Sequence, residues 1–303
     1  MDSKLFLPYR VGALMYVPAL NSGVAEKICS GAFSGLSSLA FCLEDSIADG
    51  GVRDAEIQLF KSMADISASS AVESFPLFFV RVRDCGQLAR LPDILGKFGD
   101  ILTGVIFPKF DLSNGERYLR VLGDINDKRA IPLRFMPILE SSNVIQLGSR
   151  WRELAGLRKM MDSHREHVLN IRVGAMDFCK PYGLRRAINR SIYDIAVVRD
   201  VLADILNVFA DDYVVSAPVW EYFRNSGGCN DRTDSEQWRI GLENELELDI
   251  ANGFIGKTII HPLQIQPVLN KLRPSIADVN DAKRLVDVSE SDVLGVSKSF
   301  GGN

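Results

Sequence analysis

Short apolar runs alternate with helix-like patterns along most of the chain, and this alternation limits the possible folds more than any other feature. Strands that alternate with helices build parallel sheets. Eight strands between Ala13 and Ile260 predict a (β/α)8 TIM barrel. A doubly wound open sheet is the alternative, because periodicity does not show whether a sheet closes. The predicted strands are Ala13–Pro18, Leu39–Leu43, Pro76–Val82, Gly104–Phe107, Leu133–Leu139, Ile171–Gly174, Tyr213–Ser216 and Thr258–Ile260.

Between these runs, apolar residues recur every three or four positions, as in amphipathic helices. The motif from Ser113 to Glu116 fits a capping box and predicts a further helix start. We expect residues 1–272 to form the barrel domain and residues 273–303 to form a C-terminal helical extension that packs on a neighbouring subunit. The predicted helices lie near Val24–Phe33, from Val52 to Ile66, from Leu88 to Phe98, from Ile188 to Ile205, over Ser235–Asn252 and beyond Arg273.

The composition is that of an ordinary globular protein. The chain has 303 residues, of which 47% are hydrophobic and 24% are charged. A net charge of −4 without a basic tract argues against nucleic acid as a partner. No apolar run is long enough to cross a bilayer, and the N-terminus does not have the pattern of a signal peptide. The five cysteines form no CxxC pair, so we expect reduced thiols in a cytoplasmic protein.

Charged side chains follow one predicted strand after another at the point where each strand ends. In a parallel barrel these ends form a single rim, where such folds build their active sites. A structural salt bridge explains any one of these residues alone, but their recurrence predicts a functional rim. The residues are Glu44, Asp45, Arg81, Lys109, Glu140, Asp177 and His261.

Glu140 is the most informative of these residues because it ends the apolar run that begins at Leu133. Burying an unpaired carboxylate at the end of such a run costs free energy, so Glu140 should contact a cation, a metal or a base. Alternatively, Glu140 caps the next helix. Together with Asp177 on the neighbouring strand, it would suit a hard divalent cation such as Mg²⁺, with Mn²⁺ as a substitute. Arg81 and Lys109 would then balance an anionic substrate.

Other chemical motifs have weaker support. Ala251–Thr258 nearly matches a phosphate-binding loop, but Ala251 replaces the first glycine. The segment also follows a helix and enters a strand, which is the reverse of a nucleotide-binding loop. We therefore interpret Gly253–Pro262 as a tight turn into the last strand, with a structural contact for Lys257. His164 and His167 lack a third metal ligand nearby, and no GxSxG motif is present.

A set of short motifs in fixed order resembles one family, the citrate lyase beta-subunit-like aldolases, which includes malyl-CoA and citramalyl-CoA lyases. The resemblance extends from about residue 13 to residue 287. It implies a (β/α)8 barrel, a homo-oligomer (trimer or hexamer) and Mg²⁺-dependent cleavage or formation of a carbon–carbon bond. The motifs are Met15-Tyr-Val-Pro18, Leu43-Glu-Asp45, Val80-Arg-Val82, Phe107-Pro-Lys109, Leu139-Glu140, Gly174-Ala-Met-Asp177 and Gly253-Phe-Ile-Gly-Lys257 with Ile260-His-Pro262.

The resemblance also implies a role for each matching residue. Glu140 and Asp177 resemble the direct Mg²⁺ ligands. Glu44 and Asp45 resemble the acidic pair that orients metal-bound water and neighbouring side chains. Arg81 is similar to the arginine that holds the substrate's oxygens and stabilises the enolate. Lys109 is similar to a family lysine at the fourth strand that balances local charge.

The chain departs from the family pattern in three places. Ala19 to Ser22 replaces the loop that usually follows the first strand, and Pro181 to Gly183 replaces the segment after the Asp177 motif. Family members also carry a C-terminal segment whose Asp reaches a neighbouring site. This chain ends at Asn303, about where that segment should begin, so we expect either another source for that group or an incomplete chain.

These observations predict a Mg²⁺-dependent carbon–carbon lyase acting on a small β-hydroxy acid or its CoA thioester, with release of a 2-keto acid. The alternative is a non-catalytic barrel that binds a metal and a keto acid but has lost the catalytic acid. The altered first loop favours this alternative. Turnover distinguishes the two, because a binding protein cleaves nothing.

Overall fold

A computed structural model describes residues 6–69, 75–224 and 234–288 and contains the eight predicted strands, all parallel. Their order is β7-β6-β5-β4-β3-β2-β1-β8, so strands adjacent in sequence are neighbours in space. This arrangement is that of a (β/α)8 barrel. The strands are β1 (Ala13–Pro18), β2 (Ser38–Cys42), β3 (Leu77–Arg81), β4 (Leu102–Phe107), β5 (Arg134–Leu139), β6 (Ile171–Val173), β7 (Val215–Ser216) and β8 (Lys257–Ile259).

Backbone hydrogen bonds close the ring of strands. On one side of β8, Ala13 of β1 is in register with Lys257. On the other side, Ala217 N donates to Gly256 O over 3.0 Å, and Thr258 N donates to Ala217 O over 3.3 Å. The predicted barrel is therefore confirmed, and the open sheet is excluded.

Helices surround the barrel, as expected for crossovers between parallel strands. Two short helices, Ser142–Ile145 and Ala175–Cys179, lie directly after β5 and β6. The helices are α1 (Leu7–Arg10), α2 (Val24–Cys29), α3 (Val52–Ala68), α4 (Cys85–Leu95), α5 (Gly115–Asn126), α6 (Ser142–Ile145), α7 (Leu147–Asp162), α8 (Ala175–Cys179), α9 (Ala196–Phe209), α10 (Asp234–Ala251), α11 (Ile265–Leu272) and α12 (Ile276–Val288).

Side chains alternate between two apolar regions along each strand, because successive residues point to opposite faces. On β1, Leu14 belongs to the barrel interior and Met15 to the larger core between barrel and helices. On β3, Phe79 faces inward, and Val80 packs outward. Inward-facing apolar side chains of β1 to β5 therefore fill part of the barrel interior.

Two local predictions are wrong. The long helix predicted around Ile188–Ile205 is only the shorter α9, because Gly183 adopts a left-handed conformation and the chain then turns through a short 3₁₀ helix, Ile192–Asp194. The predicted capping box at Ser113 does not form. The Ser113 hydroxyl instead donates to Asp111 over 2.5 Å, and Asn114 precedes α5.

The turn between α10 and β8 forms as predicted. Gly253 and Gly256 have positive φ angles, and a Cβ at position 256 would lie only 2.5 Å from the Gly12 carbonyl oxygen. Lys257 is fully buried, and its Nζ lies 3.0 Å from Glu245 and 2.6 Å from Asp249. Its amine is therefore held by two carboxylates in the core, which excludes a phosphate-binding role.

The C-terminal extension begins with α12, whose side chains are largely exposed from Ile276 to Arg284. The rest of the predicted extension (289–303) lies outside the described residues, as does most of the predicted loop at 225–234. In the described ranges, no helix combines the length and apolar character that a membrane span requires.

Lys257→Met tests the importance of the buried pairs. The substitution leaves Glu245 and Asp249 without their shared amine in the core. We expect the free energy of unfolding to fall by about 3–5 kcal/mol, as when one partner of a buried ion pair is removed. Urea denaturation measures this change. Lys271→Met breaks the more exposed pair with Glu247 and should lower the free energy of unfolding by less than about 1 kcal/mol. Equal losses would contradict a structural role for Lys257.

Candidate active site

The structure brings the six predicted site residues together at the carboxyl ends of β2 to β6. Parallel strands place these ends at the same edge of the sheet. Contacts between side chains then connect the residues in a single network. The network contains Glu44 and Asp45 after β2, Arg81 at the end of β3, Lys109 after β4, Glu140 after β5 and Asp177 in α8.

Arg81 lies at the centre of this network. Its Nη2 donates to Glu44 Oε2 and, over 2.7 Å, to Asp45 Oδ2, and it lies 3.9 Å from Glu140 Oε1. The guanidinium also lies over the ring of Tyr16, 5.5 Å from its centroid. Burial alone would lower the pKa of Arg81, but the surrounding acidic groups raise it. Arg81 is therefore a permanent positive charge between three carboxylates.

Lys109 contributes both its amine and its backbone. The Nζ donates to Glu44 Oε1 over 2.5 Å, and the backbone N donates to Glu140 Oε1 over 2.8 Å. Although burial opposes it, the hydrogen bond and charge of Glu44 raise the pKa of Lys109. Its φ angle of 48° is left-handed, which is unusual for a residue with a Cβ. Such strain persists where surrounding contacts hold the backbone in place.

Glu140 is only 7% exposed and has the Asp177 carboxylate beside it. Burial and the Asp177 charge raise the pKa of Glu140 to about 8, although Arg81 opposes this shift. Gly174 makes room for this arrangement, since a Cβ at position 174 would overlap the Glu140 carboxylate. The two carboxylates repel each other, and the cations near them are Arg81, 3.9 Å from Glu140, and Lys180, 2.5 Å from Asp177.

Glu140 and Asp177 could hold a divalent metal ion. Both supply carboxylate oxygens, which suit Mg²⁺ or Mn²⁺ better than zinc. Within residues 6–69, 75–224 and 234–288, no three His, Cys, Asp or Glu side chains form a metal-binding group by themselves. This fits Mg²⁺, which commonly takes one or two protein carboxylates and completes its shell with water and substrate oxygens.

Three residues of the site were missed by sequence reasoning. Lys180 Nζ donates to Asp177 Oδ1 over 2.5 Å. Arg83 Nη1 donates to the carbonyl oxygens of Leu43, Glu44 and Ile47 and so braces the segment after β2. Tyr16 lies beneath Arg81. Arg83 directly follows a predicted strand, so its position at a strand end was an available signal, whereas Tyr16 lies within the first predicted strand.

His261, which follows the last strand, does not join the network. Its Nδ1 accepts a hydrogen bond from Leu263 N over 3.2 Å and caps a short 3₁₀ helix. The ring stacks on Phe223 at a centroid distance of 4.5 Å. Burial, with a smaller effect of Lys27, lowers the pKa of His261. His261 is therefore a structural residue of the rim.

Two cavities meet at the network. An interior cavity of about 450 Å³ extends into the barrel and is lined by Tyr16, Arg81, Glu140 and Asp177, among others. An outer groove of about 870 Å³ is lined by both acidic and basic residues. Asp45 lines both spaces. The basic residues of the groove are Arg83, Lys109 and Arg117.

The fold and site together define a (β/α)8 barrel with an acidic rim suited to a hard metal ion. The model of one protein family, the C–C bond lyases of the TIM-barrel fold, matches residues 5–303. The chain therefore belongs to this C–C bond lyase family.

Solved structures share the fold. The citrate lyase beta subunit of M. tuberculosis, complexed with oxaloacetate and magnesium, is 20% identical with a TM-score of 0.56, over 88% of this chain and 99% of that chain. CitE of M. tuberculosis, in complex with magnesium, acetoacetate and coenzyme A, is 19% identical with a TM-score of 0.59. The match covers 96% of this chain and 94% of that chain. A citrate lyase of Burkholderia xenovorans LB400 is 14% identical with a TM-score of 0.68. The match covers 93% of this chain and 82% of that chain. No curated protein sequence matches the chain.

Gly174→Ala tests the close contact behind Glu140. The added methyl group has to displace the carboxylate, and such overpacking costs about 1–3 kcal/mol. We therefore expect a lower free energy of unfolding, measured by urea denaturation. As a matched control, Gly123→Ala adds a methyl group on an exposed face of α5 and should stabilise by about 0.5–1 kcal/mol. A neutral Gly174→Ala would show that the carboxylate moves freely.

Proposed function

We propose that the protein is a Mg²⁺-dependent carbon–carbon lyase that cleaves or forms a small β-hydroxy acid, free or as its CoA thioester. The 2-keto acid is one of the two products of cleavage. The observation that carries the proposal is the buried carboxylate pair, Glu140 and Asp177, beside the Arg81 guanidinium. Membership of the C–C bond lyase family and the magnesium and oxaloacetate named for the M. tuberculosis structure support it.

Glu140 and Asp177 are the proposed metal ligands. When bound, Mg²⁺ polarises the carbonyl group and stabilises developing oxyanion charge. The Lys109 backbone N–H orients the Glu140 carboxylate, and Gly174 leaves space for it. Lys180 holds the Asp177 carboxylate from the other side. The protein thus fixes both ligands before the substrate enters, which limits reorganisation during the reaction.

Arg81 is the proposed electrostatic catalyst. In cleavage, the hydroxyl proton passes to a base and the hydroxyl-bearing carbon becomes the keto carbonyl. The bond to its neighbour breaks, and its electron pair passes into an enolate, which then takes up a proton. A fixed guanidinium at the enolate oxygen stabilises this charge. Glu44 and Asp45 orient Arg81 through their hydrogen bonds, and Lys109 offsets the charge of Glu44. Glu44 and Asp45 therefore act through Arg81 and Lys109.

The two cavities would hold different parts of the substrate. The reacting acid would occupy the interior cavity beside Arg81 and Glu140. An acyl carrier would extend into the outer groove, where Arg83, Lys109 and Arg117 can meet an anionic chain. The coenzyme A named for the M. tuberculosis CitE structure supports a thioester as one form of the substrate. A free acid would need only the interior cavity.

The oligomer remains a prediction. The exposed side chains of α12 include Ile276, which is 82% exposed, and Val279. An amphipathic helix with exposed apolar residues is compatible with packing on a neighbouring subunit. Assembly as a homo-oligomer would thus involve the extension.

Glu140→Gln and Asp177→Asn test the metal ligands. Each change replaces a carboxylate oxygen by a neutral amide, so Mg²⁺ affinity should fall by more than the roughly 10–100-fold that follows loss of an outer-sphere partner. Isothermal titration calorimetry with MgCl₂ measures this affinity. Glu26→Gln, on the exposed surface of α2, is the control and should bind as the wild type does. Unchanged Mg²⁺ binding in both site variants would refute the assignment.

Arg81→Ala and Arg81→Lys test catalysis. The metal-loaded protein is incubated with malyl-CoA, citramalyl-CoA, malate and citramalate, and released keto acid is trapped with phenylhydrazine. Loss of one fixed donor at a developing oxyanion typically lowers kcat by about 100–1,000-fold, so Arg81→Ala should show a loss of this size. Arg81→Lys, which keeps the charge, should lose less. Arg199→Ala, at an exposed surface pair with Asp200, should retain wild-type turnover.

The same assay separates the lyase from a binding protein. Release from the thioesters alone identifies CoA as the carrier, whereas release from the free acids alone identifies them as substrates. A wild-type protein that binds Mg²⁺ and a keto acid but releases nothing from any substrate is a metabolite-binding barrel.

A further inference from the structure

Tyr16 lies in the barrel interior, beneath the rim that carries the proposed metal site. It is part of β1, where its chain neighbours Met15 and Val17 belong to the outer core, so its own side chain points inward. Its register partner is Ala40 of β2. The Tyr16 side chain is half-buried and lines the interior cavity of about 450 Å³. A substrate in that cavity can therefore reach it.

Two arginines flank Tyr16. The Arg81 guanidinium lies over its ring, 5.5 Å from the centroid. Because Arg81 is the proposed stabiliser of the enolate, Tyr16 is adjacent to the place where the enolate would form. The second arginine, Arg172 of β6, is 1% exposed. Burial lowers the pKa of Arg172, and the neighbouring Tyr16 opposes this shift. The hydroxyl is the ionisable group of Tyr16, so it is the hydroxyl that faces Arg172.

The charge of Arg172 has no carboxylate partner among the described residues. Its Nη2 donates to the neutral Thr258 hydroxyl over 2.5 Å. In contrast, Arg186 and Lys257, which are buried to a similar extent, both pair with Glu245. Burying a charge without a counterion costs free energy. A tyrosinate at position 16 would supply the counterion that Arg172 lacks.

The position of the Tyr16 hydroxyl also leaves its proton available. Two other tyrosines donate theirs to fixed carboxylates: Tyr193 to Asp249 over 2.7 Å, and Tyr213 to Asp162 over 2.7 Å. The neighbour of the Tyr16 hydroxyl is instead a guanidinium, which can only donate. The Tyr16 oxygen can accept from this guanidinium while its own O–H is directed to an acceptor in the cavity.

The other ionisable groups that line the cavity are committed to other contacts. The two proposed metal ligands act as carboxylates. The Lys180 amine pairs with Asp177 over 2.5 Å at the exposed rim. Asp45 pairs with Arg81 over 2.7 Å, and an arginine does not release its proton in proteins. Tyr16 is thus the side chain of this cavity that is best placed to supply a proton.

We propose that the Tyr16 hydroxyl donates the proton that the enolate takes up during cleavage, and that Arg172 stabilises the resulting tyrosinate. The proposal rests on the lyase function proposed above and adds its proton donor. The O–H bond of Tyr16 breaks, and a C–H bond forms at the α-carbon of the enolate. The tyrosinate then recovers a proton through solvent from the base that took the proton of the substrate hydroxyl, so no proton is gained or lost.

The electrostatics of Tyr16 agree with this role. Burial raises the pKa of Tyr16, and Cys42 and Glu140 add to the rise, although Arg172 and Arg81 oppose it. The phenol therefore carries its proton before the reaction, as an acid catalyst must. The two guanidinium groups favour the charged form of the phenol and so lower the cost of releasing that proton.

Tyr16→Phe removes the hydroxyl and keeps the ring beneath Arg81. The assay uses whichever of malyl-CoA, citramalyl-CoA, malate and citramalate the wild type cleaves. We expect kcat to fall by about 100-fold or more, because a positioned acid contributes about 100–10,000-fold. The Tm and the Mg²⁺ affinity should stay at the wild-type values. Tyr9→Phe, at an exposed position, is the matched control and should retain wild-type turnover.

Exchange of isotopically labelled keto acid into the substrate distinguishes a proton donor from a structural residue. This exchange breaks and re-forms the carbon–carbon bond without protonation of the enolate. In Tyr16→Phe, the ratio of exchange to net cleavage should therefore rise by about tenfold or more. Arg172→Met should raise this ratio as well, because the tyrosinate loses its cation. Arg172→Lys, which keeps the charge, should raise it less.

The two proposals fail in different ways. Turnover of Tyr16→Phe within about threefold of the wild type overturns the role of Tyr16 and leaves the lyase intact. An equal fall in exchange and net cleavage, weaker Mg²⁺ binding or a much lower Tm also overturns it, since Tyr16 would then support the site or the fold. If Tyr16→Phe does not fold, an unchanged ratio in Arg172→Met overturns the proposal. A wild type that neither cleaves nor exchanges any of the four substrates rejects both proposals.

Discussion

The bridging position of Arg81 is the interaction on which the rim depends. The ends of β2, β5 and β6 bring the carboxylates of Glu44, Asp45, Glu140 and Asp177 together. Carboxylates at this spacing repel one another, and buried ones also lose hydration. A guanidinium from β3 contacts the carboxylates after β2 and lies near the one after β5, so a single side chain links the ends of three strands. Its planar donor array suits this position better than an amine would.

Much of the site followed from the sequence because it depends on topology. Apolar runs located the strands, and parallel strand ends share one edge, so Glu140 and Asp177 had to be neighbours. The network around Arg81 could be predicted for the same reason. The space that Gly174 leaves for Glu140, and the left-handed φ of Lys109, could not be predicted. Both depend on distances between segments that are far apart in the chain.

The same limit explains the missed helix boundary and why the sequence alone does not single out Arg172 as a buried arginine without a carboxylate partner. The apolar spacing from Ile188 to Ile205 fits a helix, but Gly183 and the turn at Ile192–Asp194 redirect the chain. Arg172 is an arginine within a short apolar run, which predicts only a buried position. Its lack of a carboxylate partner is visible when its neighbours on β1 and β8, Tyr16 and Thr258, are known.

The barrel interior carries unfavourable charge at both ends of one cavity. Glu140 is buried beside Asp177, which raises the pKa of Glu140, and Arg172 is buried without a counterion. Each feature lowers the stability of the ligand-free fold, whereas the paired cluster around Lys257 shows that the same chain can neutralise buried charge. Under our proposal, a divalent cation between Glu140 and Asp177 would neutralise the rim end of this cavity. Its binding free energy would then include relief of the repulsion between the two carboxylates.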